Sequence, residues 1–298
     1  MFLKKNRIIS VIIVLLIAAV SLAASFFTYY FLNKVFDENE LTYYLLMIFI
    51  SLLVGIVVSW LIGLILKNTT ITKPLNSIYM IALTINFAWR FAGFKDYSIF
   101  MIVVIGIWAV EKIIKWGCTF NNLESVDARL INIKIRHPKT YLLIDFFLLN
   151  LVPMIVNFTL MLCPLAYMVP STGFNLSSII AIVLAVAALG VKIIADIQLL
   201  KNKKKGMVKI GLWNRSRHPD YLAELIFWFA VYLITISIRP EMWGIFLGPI
   251  LNCLLYGFII IPLTEKVLLK TYQNYENYQK TTNNLLIFPK KVVEEVKK

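Results

Sequence analysis

Leu41-Thr-Tyr-Tyr-Leu-Leu-Met-Ile-Phe-Ile-Ser-Leu-Leu-Val-Gly-Ile-Val-Val-Ser-Trp-Leu-Ile-Gly-Leu-Ile-Leu66 runs for 26 residues without a charge. A helix advances about 1.5 Å per residue, so ~20 apolar residues cross the ~30 Å hydrocarbon core of a bilayer. This run is long enough to do so, and uninterrupted apolar stretches of that length mark membrane spans.

The same pattern repeats on both sides of it. Apolar runs occupy Ile8–Leu32, Ser98–Lys115, Tyr141–Val169, Ser177–Leu200, Leu222–Ile238 and Trp243–Leu263, joined by shorter polar connections. A further run, Ile78–Phe94, is weakened by Asn86 and Arg90. These runs predict an all-α, polytopic transmembrane helix bundle of six to eight spans. Composition agrees: charged residues make up 15% of the chain, against about 25% in soluble domains, and the mean hydropathy is +0.78. The first run follows Lys4, Lys5 and Arg7 and is longer than the ~7–15 residue core of a signal peptide, so it is read as a retained span.

The net charge of +14 falls mostly in the connections. Phe36–Glu40 is acidic, Lys201–Arg217 holds seven basic residues and no acid, and Lys112–Lys139 and the tail after Leu263 are net basic. The positive-inside bias then expects eight crossings with both termini cytoplasmic, in the cell membrane if the source is prokaryotic. It also places the three long polar segments on one side, so that a cofactor pocket opens to the cytoplasm. That bias accounts for the basicity without nucleic acid. The expected partners are the lipid bilayer and a lipophilic small-molecule substrate, with no obligate protein partner inferred. Cys118, Cys163 and Cys253 are too irregularly spaced for a disulfide framework or a metal site. Residues 1–70 read as two N-terminal spans added to a membrane domain at 71–298.

Polar residues concentrate in Gly211-Leu-Trp-Asn-Arg-Ser-Arg-His-Pro-Asp-Tyr-Leu-Ala-Glu224. Pro219 suits the first turn of a helix, and Tyr221, Glu224 and Trp228 then share parts of one face. An acid one turn inside an apolar helix is costly and suggestive. The arginines are suited to phosphate. A snorkelling interfacial loop is the plain alternative. Asp196, near Gln198 at the end of a span, reads either as a helix-end charge or as an acceptor for ribose or amide groups. Asp127 and Arg129, two residues apart, read as loop groups with separate partners. Glu265, Tyr275 and Tyr278 belong to an amphipathic closing segment that ends in Phe288-Pro289 and would fold back over the cavity. Asp145, Asn150 and Asn157 lie in one span and either bond neighbouring helices or line a substrate cavity. No dinucleotide-binding glycine motif, P-loop or H-E-x-x-H occurs, and no span is broken by Gly and Pro as in transporters.

The stretch from Gly211 to Glu224, with Trp228 a turn later, resembles the signature G-L-W-x-x-S-R-H-P-N-Y-x-x-E of the DUF1295 family, grouped with the steroid 5-alpha-reductase C-terminal domain. Asp196-Ile-Gln198, Asp127-Ala-Arg129, and Glu265 followed by Tyr275-x-x-Tyr278-Gln are similar to further family positions. The likeness is strongest over residues 194–289. Asp220 departs from the family's usual Asn.

The resemblance implies a reductase-like domain that takes NADPH and reduces a C=C bond in a sterol- or enone-like substrate. Its phosphates would lie near Arg215, Arg217 and His218. Asp196 and Asp127 would hold the ribose or the nicotinamide amide. Trp213, Arg129, Tyr221 and Glu265 complete the expected cofactor contacts. Tyr221, Glu224, Tyr275 and Tyr278 are the candidate catalytic residues. The superfamily also includes isoprenylcysteine carboxyl methyltransferases, so S-adenosylmethionine is the alternative cofactor: Arg217 and His218 would meet its carboxylate or the acceptor, and Glu265 its amine. A non-enzymatic membrane protein is the third reading.

Overall fold

Each of the eight apolar runs is helical in the computed structural model, which describes residues 6–124, 127–169 and 175–286. The chain is an all-α polytopic helix bundle. Among the described residues seven helices are long and apolar enough to cross a membrane. It divides into two compact units, Met1–Pro170 and Ser171–Lys298.

In the first unit α1 (Arg7–Leu32) packs along α2 (Leu41–Ile65). Asn6 caps α1 by accepting from the backbone N–H groups of Ile8 and Ile9, which a buried or interfacial helix start otherwise leaves unpaired. α3 (Lys73–Phe87) continues through a π turn, Ala88–Ala92, and pairs with α4 (Asp96–Thr119) across a short turn. α3 falls outside the seven because Asn86 and Arg90 dilute it. Both find a partner inside the unit: the Tyr44 hydroxyl donates to Asn86, and Arg90 pairs with Glu38 at 3.2 Å. With its π turn α3 has 20 residues, about 30 Å of helix and enough to cross.

α5 (Ala128–Arg136) is a short amphipathic helix. α6 (Tyr141–Met168) carries a π turn at Phe146–Leu151, directly before Pro153. A proline clashes with the carbonyl four residues back, and widening the preceding turn relieves this without breaking the helix. Asp145 on α6 accepts from Trp60 Nε1 of α2 at 3.2 Å, a bond between neighbouring helices. Asn150 donates instead to the Asp145 carbonyl of its own helix, at 3.1 Å.

In the second unit α7 (Leu176–Asn202) starts at a reciprocal capping box between Asn175 and Ser178. It lies antiparallel to α8 (Pro219–Ile238) along its length. Ala181, Ala185, Ala188 and Ala195 are buried on one face of α7; such small side chains let two membrane helices approach closely. The same face carries Lys192 and Asp196, so the stripe that brings α8 close also delivers two charges to it. α9 (Pro240–Thr271) widens at Leu255–Ile260 before Pro262, and α10 (Tyr275–Thr281) closes the unit.

Candidate functional site

The loop between α7 and α8 is fixed to α7 before it reaches α8. Gly211 has φ +57°, and a β-carbon there would overlap the Gln198 side chain; only glycine suits both demands. Gln198 Oε1 accepts from Leu212 N at 3.0 Å, and Trp213 Nε1 donates to the Ala195 carbonyl at 2.9 Å. Trp213 is thereby locked beside Asp196. Arg215 remains exposed.

The chain then meets its own tail. Arg217 N donates to the Asn283 carbonyl at 3.0 Å and His218 N to the Asn284 carbonyl at 3.1 Å. Ser216 Oγ donates to the Leu285 carbonyl at 2.9 Å. The closing segment therefore folds back onto the signature stretch by backbone pairing, a contact that no side-chain pattern announces. Phe288 and Pro289 lie outside the described residues.

Glu265 gathers the donors of this region. It shares a 2.6 Å hydrogen bond with His218 Nε2, accepts from Tyr275 Oη at 2.7 Å and from Gln279, and stands 3.5 Å from Arg217 Nη2. Arg217 Nε is buried with no hydrogen-bond partner among the described residues. Tyr221 stacks on His218, ring centroids 5.0 Å apart and planes 4° from parallel. The Tyr278 hydroxyl donates to the Trp213 carbonyl, and Lys209 lies over its ring. Burial, reinforced at Tyr275 by Glu265, pushes both Tyr275 and Tyr278 well above the usual phenol range, so both hold their protons at neutral pH.

About 9 Å further along α8, six residues at 1.5 Å each, a second group is buried between α7 and α8. Lys192 Nζ lies 3.3 Å from Asp196 Oδ2 and 3.9 Å from Glu224 Oε2. Trp228 Nε1 donates to Glu224 at 3.3 Å, the pairing expected of residues four apart. Asp220, one turn before Glu224, is also buried. Lys192 is the member that sequence reading missed; its position four residues before Asp196 in an apolar run is the signal that could have found it.

Asp127 and Arg129 belong to the first unit and pair with each other. Asp127 caps α5 by accepting from Arg129 N at 2.9 Å, and its carboxylate takes both arms of the Arg129 guanidinium. Lys73 Nζ lies 2.6 Å from the same carboxylate. Turning into the first turn of α5 brings the arginine back over its own cap, which spacing alone did not reveal. Burial raises the Asp127 carboxyl, but the two cations outweigh it and hold the group far below the ordinary range.

The family described as "Protein of unknown function (DUF1295)" matches residues 59–282. The chain belongs to the DUF1295 family. The match begins near the end of α2 and closes just beyond α10, so all of the second unit's clusters in this DUF1295 chain lie within it. No curated protein and no solved structure matches the chain.

Proposed function

We propose that this protein is a membrane-embedded reductase that uses NADPH to reduce a C=C bond in a lipophilic, sterol- or enone-like substrate. The observation that carries the reading is the mixed polar character of the second unit. Arg217 has one buried N–H with no hydrogen-bond partner among the described residues, and Asp196, Asp220 and Glu224 are buried carboxylates of the same unit. A dinucleotide answers both: phosphate oxygens accept, and ribose hydroxyls and a carboxamide donate. The residues fit the group.

Arg217, with Arg215 and His218, would hold the phosphates, and Asp196 and Glu224 the hydroxyl and amide donors. Trp213 positions Asp196 through the Ala195 carbonyl. When bound, NADPH supplies hydride; the chain supplies position, exclusion of water and a proton. Tyr221, stacked on His218, is the first candidate for that proton. With α3 counted as a crossing, the charge bias puts both termini and the pocket on the cytoplasmic side, in the cell membrane of a prokaryotic source.

One observation favours a second reading. Asp196, Asp220, Glu224 and Glu265 bury four carboxylates among the described residues of the second unit. The sulfonium and amine of S-adenosylmethionine would suit such acids. Calorimetric titration of the detergent-purified chain with NADPH and then S-adenosylmethionine separates the two. NADPH binding that is weakened in Arg217→Ala supports the reductase. Binding of S-adenosylmethionine alone makes the protein a methyltransferase of a lipid or isoprenylated acceptor. Binding of neither leaves the non-enzymatic reading.

A further inference from the structure

A cavity of about 550 Å³ lies in the first unit between α1 and α3, with α2 as its floor. Its origin is a single close approach. Gly55 of α2 has no side chain, and a β-carbon there would overlap the Tyr79 hydroxyl of α3. That hydroxyl lies 2.6 Å from Ser25 Oγ of α1 and 3.2 Å from the Ser21 carbonyl. Three helices are thus tied at one level. Beyond the tie, toward Leu32 and Ala92, the lining residues Ser51 and Ala82 are small, and the space stays open.

The walls are apolar, contributed by Leu22, Ile48, Leu52 and Leu83. Phe26, Tyr30 and Trp89 also line the cavity and are exposed. In a membrane helix such aromatic side chains face lipid or its interface, so the cavity opens sideways to the bilayer. Its volume falls within the ~300–1,000 Å³ of small-molecule sites.

One end is polar and electrically balanced. Arg90 pairs with the Glu38 carboxylate at 3.2 Å and donates to the Glu38 carbonyl at 2.6 Å. Its guanidinium sits over the Tyr44 ring at 4.7 Å, and Tyr29 Oη donates to Glu38 at 2.9 Å. Asn86 lines this end as well; its Oδ1 is engaged by the Tyr44 hydroxyl, and its half-buried amide Nδ2 has no hydrogen-bond partner among the described residues. The rim therefore offers an unused donor and no net charge. An anionic head would meet Glu38, and a cationic head would meet Arg90. An uncharged oxygen meets neither penalty and satisfies the donor.

We propose that this cavity binds a neutral amphiphile, an apolar chain or ring system whose hydroxyl, ketone or ester oxygen accepts from the Asn86 amide. The site draws on α1 and the first part of α2, which precede the family match at residue 59. It is independent of the cofactor reading.

The test is photo-crosslinking of the full chain in phosphatidylcholine nanodiscs with a diazirine-bearing monoacylglycerol, followed by peptide mapping. Saturable labelling of α1 and α3, displaced by unlabelled monoolein and poorly by oleate, is expected. Ala82→Trp fills the cavity from an exposed lining position and abolishes saturable labelling. Asn86→Leu keeps the shape of the side chain but removes the amide N–H, and weakens monoolein competition about fivefold, one hydrogen bond's worth. If melting shows that Asn86→Leu does not fold, Ala82→Trp decides alone. Non-saturable labelling that is equal in the wild type and Ala82→Trp would overturn the proposal, as would stronger displacement by oleate than by monoolein.

Discussion

In the first unit Asp127 pairs with two cations, Lys73 and Arg129, and caps a helix. In the second unit four carboxylates are buried among the described residues, two of them near Lys192 and one beside Arg217, and one buried arginine N–H has no hydrogen-bond partner among the described residues. Buried charge is tolerated when balanced and is costly when it is not. A donor left buried without a partner among apolar helices is where we propose that a ligand binds.

The contrast can be broken at Glu265. Removing it as Glu265→Ala strips the acceptor from His218, Tyr275 and Gln279 and the charge partner from Arg217. Breaking a buried pair costs about 3–5 kcal/mol, so thermal unfolding in detergent is expected to shift downward by that amount, and α10 to become the first segment exposed to protease. An unchanged melting curve would show that the tail is held by something else.

Asp127→Asn tests the balanced group with a smaller effect. Asn caps a helix about as well as Asp, so the loss, about 2 kcal/mol for a charge-assisted contact, isolates the charge. The pH dependence has a definite sign. The folded carboxyl is depressed, so its contribution is full above the unfolded value of about 4 and is lost as pH falls below that toward the lower folded value. The wild type should lose this increment between about pH 4 and pH 2, and Asp127→Asn should show no such step. A step of equal size in the variant would assign it to other acids.

Trp213→Phe is the mildest change. It deletes the hydrogen bond to the Ala195 carbonyl and keeps most of the ring, for a loss of about 1 kcal/mol. Because Ala195 adjoins Asp196, ligand affinity should fall while melting moves little. A fall in melting alone would make the tryptophan purely structural.

The fold was open to reading because lipid demands long apolar runs: each run predicted above is helical, and the last continues eight residues past its expected end at Leu263, to Thr271. The acid and base pairings were less legible. Arg129 returning to its own cap depends on where α5 begins. Asn86 and Arg90 looked like defects in a span until Tyr44 of α2 met the first and the loop at Glu38 came back to meet the second. Backbone pairing of Asn283 and Asn284 with Arg217 and His218 leaves no trace in side-chain pattern. Lys192 was visible as a charge in an apolar run, but its role depends on α8 arriving on the alanine face of α7.

The most direct measurement of the central contrast is the affinity for NADPH of Arg217→Ala beside Arg129→Ala, each checked for folding by thermal unfolding. Loss of a charge-assisted hydrogen bond corresponds to about tenfold or more in affinity. That loss is predicted for Arg217→Ala, with Arg129→Ala binding as the wild type does. An equal loss in both variants, or a loss confined to Arg129→Ala, would contradict the account.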